Sequence, residues 1–239
     1  MNRTKIEYLD FTWNPIVGCS GADCEVRRRG VCWAMAMAKR QKQRCQLCYD
    51  FLPHFHEERL TEPLHRKKPT RIGVCFMGEL LDGTVRLTWL TEIFNVMRIA
   101  RQHTFVNLTK QAMNLQSQII AKLLPSNLWL GVSVNRKADL WRLGYLKQTK
   151  ATVKIVSFEP LYECMGDIDL EGIDWIIIGA QTHPDLQPDT SWVTPILREA
   201  STHEIAVFIK NNLWVTSKCF NTLEALGHKP PFQEFPNLR

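Results

Sequence analysis

The chain has 239 residues, enough for one full hydrophobic core with no need of a second domain. Its composition, 45% hydrophobic and 23% charged with 12 Gly and 12 Pro, excludes a disordered or low-complexity chain, and no apolar run approaches the roughly 18 residues of a membrane span. The formal net charge of +6 is mild; the clusters Arg27-Arg28-Arg29 and Arg66-Lys67-Lys68 suit either a phosphate backbone or plain solvated surface.

The N-terminal stretch MNRTKIEYLDFTWNP has no signal-peptide core, so the cytoplasm is the expected compartment. There, eight cysteines read as ligands or catalytic groups in preference to disulfides. A first strand is expected near Ile6–Thr12. After it comes an irregular, polar, cysteine-rich insertion over about residues 19–70.

From residue 70 onward, short apolar runs alternate with stretches of helical spacing. The runs are 71–76, 104–108, 128–133, 153–158, 174–179 and 205–209. Runs this short and this apolar suit strands buried on both faces of a parallel sheet. Between them, Trp89, Leu90, Ile93, Phe94, Met97 and Ala100 make one apolar stripe, and Ile119, Ile120, Leu123 and Leu124 another. Leu140, Leu143 and Leu146 make a third, and Trp192, Ile196, Leu197 and Ala200 a fourth. Strand and helix in alternation mean an α/β fold with about seven strands. One domain over 1–239, built as a partial or closed (β/α) barrel, fits better than a dinucleotide-binding sheet, because no G-x-G-x-x-G or Walker loop follows any strand.

Barrels of this kind carry their sites at the C-terminal ends of the strands. Those ends read Asn14 with Cys19, Met77-Gly78-Glu79, Thr109-Lys110, Ser133 with Asn135, Ser157 with Glu159, Gln181, and Lys210-Asn211. Cys19, Cys24 and Cys32 offer three soft thiolates from one loop, enough for three irons of a [4Fe–4S] cluster. Cys45 and Cys48 form a C-x2-C pair. With two further ligands, from His54, His56 or the other cysteines, they would make a structural zinc site; the plain alternative is a pair of free thiols in a helix turn.

The sequence resembles the three-cysteine-motif phage proteins, a radical-S-adenosylmethionine-like family. The matching stretches are Trp13-Asn14-Pro15 with Gly18-Cys19, Cys32-Trp33-Ala34, His56-Glu57-Glu58-Arg59-Leu60, Lys68-Pro69, and 103–105 leading to Leu108-Thr109-Lys110. The series continues with 129–134, Glu159-Pro160-Leu161, 173–176 and Phe208-Ile209-Lys210. The resemblance implies a radical-type (β/α) barrel, a cluster on Cys19, Cys24 and Cys32, and S-adenosylmethionine held at Met77-Gly78-Glu79. The chain departs from the family pattern in four places, one of them the last strand, which ends Lys210-Asn211 in place of Lys-Gln. Seven residues separate Cys24 from Cys32, Gly179-Ala180-Gln181-Thr182-His183 lacks a carboxylate, and Cys45 and Cys48 are additional.

Two functions of different class are therefore expected. The first is an iron–sulfur enzyme of the radical S-adenosylmethionine type. Lys210 and Glu159 would be its catalytic candidates, Asn135 and Ser133 further cofactor contacts, an electron donor its partner, and a nucleic acid or nucleotide its substrate. The second is a zinc-stabilised module that binds nucleic acid or protein without catalysis. A metal-free hydrolase using Glu159 and Lys210 ranks last, for want of a nucleophile–base pair.

Overall fold

A computed structural model describes residues 1–214, 217–229 and 232–237. The side chains of residues 118, 119, 121 and 217–220 fall outside it, and with them the expected packing of Ile119 and the environment of Cys219. The chain is mixed α/β with eight mostly parallel strands, and it divides into two compact units. The first unit comprises residues 1–130 and 148–152; the second comprises 131–147 and 153–239.

In the first unit the main strands are β1 (Asn2–Arg3), β2 (Phe11–Trp13), β5 (Arg71–Val74) and β6 (Thr104–Thr109), in that order, followed by the first half of β7 (Leu128–Ser133). β2, β5 and β6 run parallel, and β1 pairs antiparallel with β2. The helix α4 (Leu87–Ile99) buries Leu90, Ile93, Phe94 and Met97, the stripe that its spacing foretold. In the second unit the rest of β7 is followed by β8 (Val153–Phe158), β9 (Trp175–Ile178) and β10 (Ala206–Ile209). The β8–β9 and β9–β10 pairs are parallel. Every residue of β7 and β9 is buried, which is why these runs are continuously apolar and do not alternate.

The strand expected near Ile6–Thr12 is β2, which begins only at Phe11, with the short β1 ahead of it. Leu9 N–H closes a turn on the Ile6 carbonyl at 3.0 Å, so Tyr8 and Leu9 reach the core from a turn and pairing begins only at Phe11. Asp10 then fixes the register. Its backbone N–H donates to the Arg71 carbonyl, and its carboxylate accepts from the Arg71 N–H at 2.8 Å.

The insertion after β2 is made of short pieces: β3 (Ile16–Val17), α1 (Glu25–Arg28), α2 (Trp33–Ala38), α3 (Gln46–Tyr49) and β4 (His54–Phe55). β3 and β4 pair antiparallel, Val17 opposite His54, so the far end of the cysteine-rich loop returns to its beginning. No helix among the described residues is long and apolar enough to cross a membrane.

Candidate metal centre

Two glycines bring the backbone of the insertion close to the end of β5. Gly18 has φ of 88°, and a Cβ there would lie 2.3 Å from the Leu52 carbonyl oxygen. Gly78 forms a bridge with Gly18, and its own Cβ would meet the Gly18 oxygen at 2.7 Å. Only glycine allows this approach. It seats Cys19 beside Met77 and carries the loop at 51–52 against the start of the insertion.

On that base four donors converge. Cys45 precedes α3, and its sulfur accepts a hydrogen bond from the Cys48 N–H at 3.4 Å, which turns both sulfurs of the C-x2-C pair to one side. His54 lies in β4 and His56 two residues on, the spacing that returns a side chain to the same face of an extended segment. Cys45 Sγ lies 3.5 Å from His54 Nε2. Cys48 Sγ lies 3.4 Å from His54 Nε2 and 3.2 Å from His56 Nε2, and the two Nε2 atoms are 2.8 Å apart. All four ligand atoms fall within 4.8 Å of one another.

Those separations suit one small tetrahedral ion. With Zn–S of about 2.3 Å and Zn–N of about 2.05 Å, ideal angles place S and N roughly 3.6 Å apart and two nitrogens roughly 3.3 Å apart. These three sulfur–nitrogen distances match within a few tenths of an ångström, and the nitrogen pair needs to open by about half an ångström around the ion.

The outer partners of the histidines fit as well. His54 Nδ1 donates to the Leu52 carbonyl at 2.7 Å, and His56 Nδ1 donates to the Glu58 carboxylate at 2.7 Å. With each Nδ1 carrying the proton, each Nε2 lone pair faces the centre, the arrangement that metal-ligating histidines require. Cys48, His54 and His56 are all buried. Burial, with the Cys45 sulfur beside it, pushes the Cys48 thiol up to about 11, and burial lowers His56 below its usual value. Neutral imidazole is the form that binds metal, and a bound dication would reverse the thiol shift by stabilising thiolate. The Cys45/Cys48/His54/His56 group can therefore hold a metal ion such as zinc.

A family profile described as a protein of unknown function, DUF5131, matches residues 3–228. The chain belongs to this family. No curated protein and no solved structure matches it. What the DUF5131 chain does must therefore be argued from its own residues.

The other expected ligands are placed differently. Cys19 and Cys32 both pack against a small apolar cluster of Ala34, Ala38 and Phe51, together with Met35 and Met77. Cys24 is buried at the head of α1 and is not among the residues packed on that cluster. The Arg27 guanidinium donates to the Cys19 carbonyl at 2.6 Å and lies 3.8 Å from its sulfur, while burial raises that thiol to about 11. Arg28 and Arg29 pair with Glu25, which partly neutralises the basic triplet.

Met77-Gly78-Glu79 follows β5. Met77 N–H donates to the Asn14 side chain at 2.9 Å. The Glu79 carboxylate accepts from the Leu81 N–H at 3.1 Å and the Lys110 N–H at 3.0 Å, and burial raises its pKa. In the second unit Lys210 and Glu159 form an ion pair beside Gly179. Asn135 is fully buried and donates to the Pro160 carbonyl at 2.8 Å. The Ser133 carbonyl accepts from Arg142 at 2.6 Å, so this position serves packing through its backbone.

Sequence reasoning found the four donors but not their supports. Leu52 contributes only a carbonyl, which no side-chain pattern reveals. Glu58 was legible in principle, since a carboxylate two residues beyond a candidate ligand is within reach of the far ring nitrogen.

Proposed function

We propose that this DUF5131 protein is a zinc protein in which Cys45, Cys48, His54 and His56 hold one Zn²⁺ as a structural staple. The convergence of four donors, with both imidazoles oriented by partners at Nδ1, carries the reading. Four protein ligands close a tetrahedral site and leave no position for substrate, so the ion organises the segment and takes no part in chemistry. Elemental analysis of protein expressed in zinc-supplemented medium should give one zinc per chain, falling to none in the His54→Ala variant. Equal zinc in both would end this reading.

A second metal group has a specific observation in its favour. Cys19, Cys32 and Met77 share one apolar surface just beyond the ends of β2 and β5. This supports an iron–sulfur cluster on Cys19 and Cys32, with Cys24 as the third thiolate, in a barrel of the radical S-adenosylmethionine type resembling the three-cysteine-motif phage proteins. Such a cluster, when bound, supplies one-electron chemistry and needs a reducing partner. Around it this chain would provide Arg27 as a positive charge beside Cys19 and a buried carboxylate at Glu79 that fixes the loop after β5. All seven described cysteines are free, in keeping with the cytoplasm. Anaerobic reconstitution with iron and sulfide tests the cluster: Cys19→Ala and Cys32→Ala should each lose acid-labile sulfide, and undiminished sulfide in both would exclude it.

A further inference from the structure

A cavity of about 340 Å³ opens in the first unit, next to the Cys2His2 group, and Cys48 forms part of its wall. Three arginines, Arg40, Arg44 and Arg59, line it against one carboxylate, Glu62, together with the neutral polar residues Asn2, Thr12, Asn14 and Gln41. Glu62 already pairs with the Met1 ammonium. Among the described residues Arg40 and Arg44 have no carboxylate partner, whereas Arg28 and Arg29 nearby are both paired. The lining also includes the apolar Val17, Met37 and Met77.

From this juxtaposition we propose that the cavity binds a phosphomonoester of mononucleotide size. The guanidiniums would take the phosphate and the methionines would take the base. Guanidinium matches phosphate oxygens in paired hydrogen bonds, and neighbouring arginines without counter-charges, as Arg40 and Arg44 are, favour an anionic ligand. The volume is at the lower end of the range for small-molecule sites, and a few convergent polar groups on a partly apolar wall are typical of them.

The pocket is tied to the metal site, and this part rests on the zinc reading. Arg44 immediately precedes Cys45, so the ion anchors the segment that carries Arg40 and Arg44. On the other side His56 Nδ1 bonds Glu58, and the same carboxylate oxygen lies 3.6 Å from Arg59 Nε. Two of the four metal ligands therefore position the three arginines.

The test is calorimetric titration of the full-length, zinc-loaded chain at low salt with adenosine 5′-monophosphate, with adenosine, and with a 5′-phosphorylated tetranucleotide. The monophosphate should bind at least about ten-fold more tightly than adenosine, and the Arg40→Gln/Arg44→Gln double variant should lose at least that factor. Its zinc content should stay unchanged, since neither residue is a ligand. Tighter binding of the tetranucleotide than of the monophosphate would also uphold the site and identify a strand end as the source of the phosphate. Equal affinity for monophosphate and adenosine, no binding of either phosphate, or full binding by the double variant would overturn the proposal while leaving the zinc reading intact. Arginine-dependent binding by protein that holds no zinc would remove the zinc reading and the metal coupling together, and leave the pocket.

Discussion

Replacing Cys48 by serine is the sharpest probe of the metal centre. Its sulfur is the donor nearest to both histidines, at 3.4 and 3.2 Å from their Nε2 atoms, and serine changes the side-chain volume little while removing a thiolate ligand. Two costs follow, and they can be separated. A buried hydroxyl in place of a thiol costs about 1–3 kcal/mol with or without metal. Loss of the ion is a linkage effect: at free zinc about 1,000-fold above its Kd, binding adds about 4 kcal/mol to the native state. For a chain of this size, about 4 kcal/mol corresponds to roughly 8–16 °C in Tm.

The assay is scanning calorimetry of parent and variant, each with zinc and with a chelator. The parent should fall by roughly 8–16 °C on chelation. Cys48→Ser should begin below the parent and show no further fall. Cys164→Ser, at an exposed free cysteine, should behave as the parent does. The reasoning fails if chelation leaves the parent unmoved, or if the variant falls by as much as the parent.

Other perturbations follow from the same geometry. Chelation should speed tryptic cleavage at Lys39, Arg40, Lys42 or Arg44 several-fold, with the cut sites read by mass spectrometry, because the segment then loses its anchor; an unchanged rate would count against the staple. Gly18→Ala should destabilise by at least about 1–3 kcal/mol in a urea melt, from its left-handed backbone alone, before the contact of the new Cβ with the Leu52 oxygen is counted. Glu79→Gln places an NH₂ against an N–H donor and should cost about 1–3 kcal/mol at pH 5. The pKa of Glu79 is raised by burial, so the folded state favours its protonated form. Its stabilising contribution is present below the unfolded value and is lost as pH rises through the folded one, so the gap between parent and Glu79→Gln should narrow from pH 5 to pH 8. Asp139→Ala strands the buried Arg142, which lies 3.1 Å from that carboxylate, and should cost about 3–5 kcal/mol by urea denaturation.

Much of the fold was legible because burial on both faces leaves a plain signature. Leu128–Ser133 and Val153–Phe158 are strands at the residues their apolar runs mark. Asp174–Gly179 shortens only by its end residues, to Trp175–Ile178. The strand expected over Ile6–Thr12 was placed too early because Tyr8 and Leu9 are buried from a turn, which local pattern cannot distinguish from a strand. The metal ligands were legible as residue types at suitable spacing. That His54 and His56, and not Cys24 or Cys32, complete the Cys45–Cys48 pair depends on the β3–β4 register, a long-range pairing with no local trace. The arginine-lined cavity was invisible for the same reason: Arg40 and Arg44 come from one piece of an irregular loop and Arg59 from another, whereas the conspicuous triplet at 27–29 is largely spent on Glu25 and the Cys19 carbonyl.

A metal in this segment would answer how little of it is buried. α1 has four residues and buries none, the turn over Lys39–Gln41 buries none, and α3 buries only Cys48. Helices of four to six residues do not persist in water on their own hydrogen bonds, because nucleation consumes most of the gain. Their stability must come from tertiary contact, of which the small Ala34–Ala38–Phe51 cluster supplies part. Small segments that cannot bury enough surface are commonly held by disulfides or metals, and Cys45, Cys48, His54 and His56 are placed to supply a metal site. On this account zinc affinity and the folding of the cysteine-rich segment are one free energy, passed to the strands where the insertion meets them, at Gly18 against Gly78, at the His56 N–H on the Pro15 carbonyl and at the Trp13 indole on the Arg59 carbonyl.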